Sequence, residues 1–546
     1  MLFNSYEYIL VFLPVTVLVF LLLGRSSRSL ALGWLILASI VFYAWWRPLN
    51  LAIIAPSIAL NYALGRVLLG LAGDPARARR RTALLVLGIV FNVCFLGYFK
   101  YANFAVTVVD DLSGQDFVFK QVILPLGISF ITFQKIAFLI DVAGGRIRAF
   151  TLRDYLLFVM FFPQLIAGPI IHYGETIPQF ERATCRFDRT LYAVGITLFC
   201  FGLFKKVVLA DGMAAHVTPV FAYAASGAEA TFLQAWLAAV GFTLQIYFDF
   251  SGYSDMACGA ALFFGIRLPI NFDSPLKATN IIDFWLRWHI TLTRFLTAYI
   301  YNPMALTLTR ARGARRLPML RARDSHPLAF LHVLVFPTIT TMLISGLWHG
   351  AGYTFILWGL LHGLYLVVNH LWRQYGPRPA PTDAAGEPKP AAQLAGFAVT
   401  FLAVVVAMVL FRAPDLAAAG NLLGGMVGLH GLGMPGTRFG AAGMHLLDGS
   451  VPVHAFASAS AILLALLAIA LLLPNSVQIL AAYEPVLYTP KRAAEIPGVL
   501  RPVLPRVMGR PLAWRPTLAW MVLFAALGAV SMIRLTGMSE FLYWQF

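Results

Sequence analysis

The composition of this chain is that of a membrane protein. Of its 546 residues, 60% are apolar and only 12% are charged, and the mean hydropathy is +0.76, whereas soluble proteins carry about 25% charged residues. Too little polar surface is left to face water, so soluble classes are excluded. The net charge of +17 would also suit a nucleic-acid-binding protein. The basic residues lie in short loops between apolar runs, however, so membrane topology explains them and no nucleic acid is expected as a partner.

The first apolar run, from Leu10 to Leu23, predicts a transmembrane helix that is not cleaved. No Lys or Arg precedes this run, whereas a signal peptide begins with basic residues. Arg25 and Arg28 follow it. Since basic residues beside spans stay in the cytoplasm, the N-terminus is expected in the periplasm. The pattern then predicts spans at 31–46, 50–71 and 82–99, a cytoplasmic loop at 72–82 and an outward-facing loop at 100–120.

The rest of the chain continues this alternation. The segment 301–327 contains six arginines against one acid, which predicts a cytoplasmic loop. Residues 375–395 are rich in Pro, Ala and Gly and predict a flexible linker between a core of residues 1–374 and a C-terminal region of residues 396–546. That region predicts spans at 396–412, 456–473 and 517–533, and a basic cytoplasmic loop at 475–516. The predicted fold is an all-α polytopic membrane protein with about eleven spans.

Three segments of the middle third interrupt the hydrophobic pattern with Gly, Pro and ionisable residues. In hydrocarbon an unsatisfied backbone group costs several kcal/mol, so irregular chain is tolerated there only when it is buried in protein or lines a watery cavity. We therefore expect re-entrant segments that form a central funnel, rather than plain spans, at 124–135, 161–170 and 248–255.

Several kinds of chemistry have no support in the sequence. The four cysteines, Cys94, Cys185, Cys200 and Cys258, form no CxxC pair, so neither a disulfide framework nor a metal site is predicted. The sequence also contains no phosphate-binding Gly-rich loop, no GxSxG motif and no HExxH motif. ATP hydrolysis and zinc catalysis are therefore not expected.

One candidate site lies in residues 280–296, where Asp283, Trp285, Arg287, His289 and Arg294 fall within about four helical turns. Asp283 and Arg287 are four residues apart, so they share a helix face and can neutralise each other. Arg294 would share that face on a continuous helix. The charges are therefore explained equally well by a functional site and by a salt-bridged helix near the cytoplasmic boundary.

The second candidate site is His349, which lies between Trp348 and Gly350 in an uncharged stretch, 341–363. Apolar burial keeps an imidazole neutral near pH 7 and able to accept a proton from a hydroxyl. Gly346, Gly350 and Gly352 would let a substrate approach the backbone closely. A histidine satisfied by helix packing is an equally good reading of the pattern alone, and it is the better reading of His362.

Seven motifs occur in an order that resembles the bacterial membrane-bound O-acyltransferase (MBOAT) family. They are FYAWWRP (42–48), PLGISFITFQ (125–134), FPQLIAGPI (162–170), FDFSGYSDMA (248–257), FWLRWHITL (284–292), GLWHGAG (346–352) and FRAP (411–414). The opening MLFNSYEYILVFLP and the closing FLYWQF extend the likeness over nearly the whole chain. The motifs are more similar to the alginate O-acetyltransferase branch than to the teichoic-acid D-alanyltransferase branch.

The resemblance implies a multi-span acyltransferase of the bacterial inner membrane with two functional histidines. The histidine of the WHG motif, His349, is implied to be catalytic, and that of the RWH motif, His289, to be a second functional residue. We further predict substrate contacts from Trp348, Trp285, Arg287, Asp283 and Gln134. No metal and no bound cofactor are expected.

Two function classes fit the pattern. The first is an enzyme that moves an acetyl group from a cytoplasmic thioester, with acetyl-CoA as the expected donor, to a hydroxyl outside the membrane. The second is a transporter or flippase for a lipid or polysaccharide precursor. Transporters commonly have internal repeats and paired carboxylates within the membrane. We find no repeat, and the deepest ionisable groups are expected to be histidines, so the enzyme is preferred.

The expected partners follow from this reading. They are the acyl thioester, membrane lipids, and an acceptor that is either an exported polysaccharide such as alginate or a periplasmic protein that relays the acyl group. The acceptor glycan is not specified by the sequence.

Overall fold

The computed structural model describes residues 1–115, 117–183, 185–377, 390–433, 453–489, 512–535 and 541–542. These ranges contain helices and one isolated bridge between Pro269 and Leu487, and no strand, which confirms the all-α class for the described part of the chain. The α-helices are α1 Leu13–Ser26, α2 Arg28–Ala44, α3 Pro48–Gly70, α4 Ala78–Ser113, α5 Ile128–Ala143, α6 Leu152–Met160, α7 Phe162–Leu165, α8 Tyr173–Arg182, α9 Arg189–Phe204, α10 Asp211–Ala225, α11 Phe232–Leu262, α12 Ile281–Arg287, α13 Ile290–Leu296, α14 Asn302–Ala314, α15 Pro327–Phe330, α16 Phe336–His349, α17 Tyr353–Tyr375, α18 Pro390–Arg412, α19 Leu416–Met426, α20 Val453–Leu472, α21 Ser476–Ile479 and α22 Leu518–Ile533.

Seven helical stretches of the described residues are long and apolar enough to cross a membrane. They are Glu7–Ser26, Pro48–Gly70, Pro75–Ser113, Arg189–Ala225, Pro327–His349, Tyr353–Tyr375 and Ala391–Arg412. Four shorter apolar helices accompany them: Arg28–Ala44, Leu416–Met426, Ala457–Leu472 and Leu518–Ile533. A multi-pass membrane protein is therefore confirmed, while the count of about eleven spans stays a prediction.

Helix α4 differs from the sequence prediction. The segment 100–120 was expected to be a loop, but the helix that starts at Ala78 continues to Ser113 and ends at Gly114, whose φ is +66°. Of the three aspartates that suggested a loop, Asp110 and Asp111 lie in the last turn of this helix and residue 116 lies outside the described residues. Asp110 accepts a hydrogen bond from the backbone N–H of Phe117. The segment between α4 and α5 therefore begins at Gly114 rather than at residue 100, and Lys100 lies within the helix.

Helix α11 is the central helix of the fold and corrects a second prediction. Residues 248–255 were expected to be irregular, yet they lie in the middle of this continuous 31-residue helix and are buried. Gly252 allows α11 to pack closely against α9, because a Cβ at this position would lie 2.7 Å from the carbonyl oxygen of Gly202 on α9. Gly259 faces Gly195 in the same way, at 2.6 Å. Small residues at this spacing let two membrane helices approach closely without a break in either helix.

The polar residues of α11 pair with a π-helical turn, Lys205–Ala210, at the end of α9. Lys205 Nζ lies 2.7 Å from Asp255 Oδ2, and Lys206 Nζ lies 2.7 Å from Asp249 Oδ1. Asp249 is fully buried, as are His289 and His362, so histidines share the protein interior with charged residues. Buried charges are tolerated when they are paired, and here each pair joins two helices.

The other two segments predicted to be irregular are irregular only in part, since residues 128–135 begin α5 and residues 162–165 form α7. Their irregular parts meet each other. Gly127 precedes α5 with a φ of +68°, and a Cβ there would lie 3.1 Å from the carbonyl oxygen of Leu165. The backbone around α7 is satisfied by side chains, since Phe162 N–H donates to Ser39 Oγ and Ile170 N–H donates to Thr291 Oγ1. This irregular chain is thus buried in protein, as its depth requires.

The C-terminal region packs against the same core. Helix α18 begins at Pro390, inside the predicted linker 375–395, of which residues 378–389 lie outside the described residues. Residues 490–511 of the predicted loop 475–516 also lie outside them. At the start of that loop, Ser476 Oγ donates to Asp255 Oδ2 at 2.6 Å, so residues expected in a cytoplasmic loop contact the buried ion pair of α11.

Candidate active site

His349 is the last residue of α16 and lies at the turn of a helical hairpin formed by α16 and α17. The hairpin is tight because Gly346 packs against Gly359, where a Cβ on either glycine would lie within about 3.2 Å of the other residue's backbone. A Cβ at Gly350 would overlap the ring of Phe355. Gly346 and Gly350 therefore serve packing within the protein, and the expectation that they leave room for substrate was wrong. At Gly352 the nearest side-chain atom would lie 3.7 Å from a Cβ, so the expectation is not contradicted there.

His289 lies at a break between two short helices. Its φ of 43° and ψ of 51° are left-handed, and they separate α12 from α13. The expectation of one helix across 280–296 was therefore wrong, and Arg287 and Arg294 do not share a face. Arg287 pairs with Asp283 instead, while Arg294 donates to Glu175 on α8. A left-handed histidine is uncommon and costs local backbone energy, and here the break accompanies a fully buried side chain.

Asn271 fixes the orientation and tautomer of His289. Its Oδ1 lies 3.0 Å from His289 Nδ1 and also accepts a hydrogen bond from Thr291 Oγ1 at 2.9 Å. Its Nδ2 donates to Ser254 Oγ at 3.1 Å. Because a carbonyl oxygen can only accept, the imidazole proton lies on Nδ1, and Nε2 becomes the basic nitrogen of His289.

The structure brings the two predicted histidines together. The rings of His289 and His349 have centroids 6.4 Å apart, and both side chains are buried. Aromatic rings surround them: Trp348 at 6.0 Å from His289, Phe250 at 4.7 Å from His289, and Trp358 and Phe411 at 5.0 and 5.3 Å from His349. The pair thus lies in a water-poor environment, in which a neutral imidazole is the favoured form.

Lys100 holds the end of α16 in place. Its Nζ donates to the carbonyl oxygens of Trp348 and, at 3.3 Å, of His349. The neighbouring hydroxyl of Tyr101 donates to the carbonyl oxygen of Leu347 at 2.6 Å. A cation at a helix C-terminus satisfies carbonyls that have no partner within the helix and complements the helix dipole. Helix α4 therefore positions the end of α16 and with it His349.

Two cavities lie near the histidine pair. His349 lines the first, and Trp285 connects the second to the pair. The first, of about 110 Å³, is lined by Lys100, the segment Leu124–Phe130, Ile166, Ala167, Trp348 and His349. The second, of about 310 Å³, is mostly apolar and lies among α12, α13, α16 and α17; its lining includes Trp285, Thr293, Tyr301, Thr341 and His370. It also includes Leu286, which is 63% exposed, so this cavity extends from the surface to Trp285.

The predicted substrate-binding residues divide into two groups. Trp348 lines the first cavity and Trp285 the second. Gln134 is buried on α5, one residue after Phe133, whose ring stacks on Trp348 at 5.3 Å. Gln134 itself lines neither of these two cavities.

Asp283 and Arg287 form the expected i,i+4 ion pair, with 2.8 Å between Arg287 Nε and Asp283 Oδ1. Arg287 also donates to the carbonyl oxygen of Asp273 at 3.3 Å. These contacts join α12 to the segment that carries Asn271. The pair therefore connects α12 to this segment, and its role in substrate binding stays a prediction.

Sequence reasoning missed Asn271, Lys100, Phe411, Trp358 and His362. Asn271 is an isolated polar residue between Ile270 and Phe272, and that pattern could have suggested a buried hydrogen-bonding role. Lys100 was assigned to a loop by charge alone, and Phe411 lies in the FRAP motif, from which no role was inferred. Trp358 and His362 are four residues apart on α17 and share one helix face, a spacing that could have indicated that the two side chains are in contact.

Comparison with known proteins identifies the family. The model of the membrane-bound O-acyltransferase family matches residues 82–317, a range that includes His289 and ends before His349. The peptidoglycan O-acetyltransferase of Helicobacter pylori is 40% identical over 462 residues, which cover 80% of this chain and 81% of that protein. A probable alginate O-acetylase of Pseudomonas aeruginosa is 39% identical, covering 77% of this chain and 73% of that protein.

A more distant relative is the teichoic acid D-alanyltransferase of Bacillus subtilis, which is 26% identical over 46% of this chain and 60% of its own length. The predicted order of resemblance, alginate branch before D-alanyltransferase branch, is thereby confirmed, although a peptidoglycan enzyme is as similar as the alginate ones. The chain belongs to the membrane-bound O-acyltransferase family and is an O-acyltransferase.

Proposed function

We propose that this protein takes an acetyl group from a cytoplasmic thioester, acetyl-CoA, and delivers it across the inner membrane for the O-acetylation of an exported polysaccharide such as alginate. The names of its relatives support acetyl transfer to a cell-envelope or exported glycan. In the proposed topology the N-terminus is periplasmic and the basic loops are cytoplasmic.

The observation that carries this proposal is that His349 lines the first cavity and is linked to the second through two tryptophans. Trp285 lines the second cavity, and its ring lies 5.9 Å from that of Trp358, which lies 5.0 Å from the ring of His349.

The first cavity adjoins the segment Leu124–Phe130, which follows α4. Four arginines lie at the start of that helix, within the predicted loop 72–82, and since basic loops stay in the cytoplasm, the far end of α4 is expected on the outer side. The second cavity adjoins Tyr301, at the start of the Arg-rich segment 301–327. A donor that enters through the second cavity and an acceptor that enters through the first would meet at His349.

In the proposed reaction, His349 acts as the general base. The acceptor hydroxyl gives its proton to the imidazole while its oxygen forms a bond to the thioester carbonyl carbon. The C–S bond then breaks, and the thiolate takes the proton from His349. Such base catalysis contributes about 10² to 10⁴ in rate. His289, held by Asn271 with its Nε2 as the basic nitrogen, would orient a reacting group beside it.

The size of the first cavity favours an acceptor that protrudes. Its volume of about 110 Å³ is small for a hydrated glycan strand, and each hydroxyl stripped of water and left unpaired costs about 1 to 3 kcal/mol. A single serine side chain avoids most of this cost. We therefore propose that a periplasmic protein receives the acetyl group and passes it to the polymer.

The catalytic role is tested with purified protein in vesicles and labelled acetyl-CoA. We expect His349→Ala to abolish transfer while it leaves insertion and the melting temperature unchanged. His216→Ala, a substitution of a half-buried histidine on α10, is the control and should retain turnover. Wild-type turnover by His349→Ala would contradict the general-base role. Efficient acetylation of polymer by the chain alone would show that a relay protein is not required.

The direction of transfer is tested by cysteine labelling from outside intact cells. In a variant lacking Cys94, Cys185, Cys200 and Cys258, single cysteines are placed at 316 and 115. We expect an impermeant maleimide to label position 115 only. Labelling at 316 would reverse the topology and remove the argument for a cytoplasmic donor.

A further inference from the structure

Three aromatic side chains, Trp285, Trp358 and His362, form a cluster beside the histidine pair. The ring centroids lie 5.9 Å apart for Trp285 and Trp358, 5.2 Å for Trp285 and His362, and 4.7 Å for Trp358 and His362. All three side chains are buried, with exposed fractions of 6%, 1% and 0%. We call these residues the three-ring cluster.

The ring nitrogens of this cluster have no hydrogen-bond partner among the residues that the structure describes. This holds for Nε1 of both tryptophans and for both nitrogens of His362. Buried polar groups are almost always hydrogen-bonded, and the cost of leaving them unsatisfied is high in an apolar interior. Three such side chains in mutual contact indicate a site that is completed by a polar group of a ligand.

The cluster lies between the second cavity and His349. Trp285 lines that cavity, and the ring of Trp358 lies 5.0 Å from the ring of His349. The cavity is otherwise mostly apolar, and two further buried hydroxyls in its lining, of Thr293 and Thr341, also lack a partner among the described residues. A molecule with hydrogen-bonding groups along a slender chain would suit this lining, and its end would reach the cluster.

We infer that the three-ring cluster binds the carbonyl oxygen of the acyl donor, an inference that rests on the proposed function. The indole N–H groups and the single N–H of neutral His362 donate to this oxygen. When the acceptor oxygen bonds to the carbonyl carbon, the C=O electron pair moves onto the oxygen, and the same donors stabilise the resulting oxyanion. As the C–S bond breaks, the carbonyl re-forms and the thiolate leaves. Preorganised donors of this kind act most strongly where water is excluded.

The first test removes single N–H donors and retains the rings. We expect Trp358→Phe and Trp285→Phe each to lower kcat about 10²-fold to 10³-fold, with donor affinity changed less than threefold. Trp34→Phe is the matched control, because its Nε1 donates to the backbone carbonyl of Thr16, away from the site; it should keep wild-type kcat. Wild-type kcat in both site variants, with the wild-type enzyme active, would overturn the cluster's role and leave the proposed function intact.

The second test separates carbonyl binding from a purely structural role. The His349→Ala protein is loaded with acetyl-CoA labelled with ¹³C at the carbonyl, and the C=O stretch is measured by isotope-edited infrared spectroscopy. Hydrogen bonding should lower the stretch relative to donor in water-free solvent, and adding Trp358→Phe or His362→Phe should raise it again. An unchanged stretch in these double variants would overturn the inference. If the wild-type protein binds no thioester at all, the proposed donor fails and the inference fails with it.

Discussion

The α9–α11 interface and the three-ring cluster are both buried polar regions of the same membrane-spanning core, yet their polar groups are satisfied in opposite ways. At the interface Lys205 and Lys206 each lie within 2.7 Å of a carboxylate oxygen, and Ser476 completes one pair. In the cluster the tryptophan and His362 nitrogens have no partner among the described residues. Polar groups that are satisfied within the protein hold helices together, whereas groups left without a protein partner mark where a ligand is expected.

Two polar residues near the histidines, Arg287 and Asn271, also have partners within the protein. Arg287 has partners in Asp283 and in the backbone of Asp273, and the amide of Asn271 is used by both His289 and Ser254. Arg287 thus has its contacts within the protein framework, whereas Asn271 also holds the imidazole of His289, so its substitution should change turnover through that ring. Substitutions in the two kinds of region should therefore affect different measurements, with stability changing in one and turnover in the other.

The largest effect on stability is expected for Asp255→Ala. This substitution removes the carboxylate and leaves the Lys205 ammonium, within the described residues, with a hydrogen bond to Ser476. Breaking a buried ion pair in this way costs about 3 to 5 kcal/mol. The free energy of unfolding, measured by denaturant titration in detergent, should fall by this amount.

The double variant Lys205→Met, Asp255→Leu is the control for this experiment. Replacing both charges by apolar side chains of similar size is often neutral, so the double variant should recover most of the stability and keep acyl transfer. If it is as unstable as Asp255→Ala, an unpaired charge is not the cause. If it is stable but inactive, the pair belongs to the functional region and the comparison fails.

A smaller effect is expected for Asn271→Ala, which removes the acceptor that orients His289. Losing one buried hydrogen bond to a positioned imidazole costs about 1.4 kcal/mol, or about tenfold in rate. We expect kcat to fall by about this factor with KM unchanged, since the amide contacts His289, Thr291 and Ser254. Asn421→Ala on α19, whose amide donates to the carbonyl of Ala228, should leave kcat at the wild-type value. An equal rise in KM would instead assign Asn271 to substrate binding.

The sequence was sufficient to predict those features that depend on local composition. Apolar runs and basic residues predicted the membrane class and the approximate positions of seven helices, α1 to α4, α18, α20 and α22. The i,i+4 spacing predicted the Asp283–Arg287 pair. His349 was found because it lies in an otherwise uncharged stretch, and His289 because it lies in a short segment rich in charged and aromatic residues. The motif pattern added their functional roles, which composition alone left open.

The features that could not be predicted depend on contacts between distant segments. The glycine of 248–255 looked like a helix break because its partner, Gly202, lies 50 residues away in the chain. Asp249 and Asp255 looked irregular for the same reason, since the lysines that pair with them lie on another element. The contact between the His289 ring and Asn271 joins residues that lie 18 positions apart in the chain. Lys100 could be placed only once the end of α16 was known to lie beside it.

The smallest effect is expected for the Asp283–Arg287 pair, which the sequence left undecided between a substrate-binding and a structural role. Both side chains are partly exposed, at 24% and 16%, and such pairs contribute about 0 to 1 kcal/mol. The double variant Asp283→Asn, Arg287→Met should lower the free energy of unfolding by no more than this and keep kcat and KM within about twofold of wild type.

Steady-state kinetics with varied acetyl-CoA provides the measurement, with Trp285→Phe as the comparison variant in the same helix. The charge variant and Trp285→Phe both alter α12, so a general disturbance of that helix would lower kcat in both. If the cluster donates hydrogen bonds and the ion pair is structural, kcat falls strongly in Trp285→Phe alone. A rise in the KM for acetyl-CoA of tenfold or more in the charge variant would instead make Arg287 a donor-binding residue.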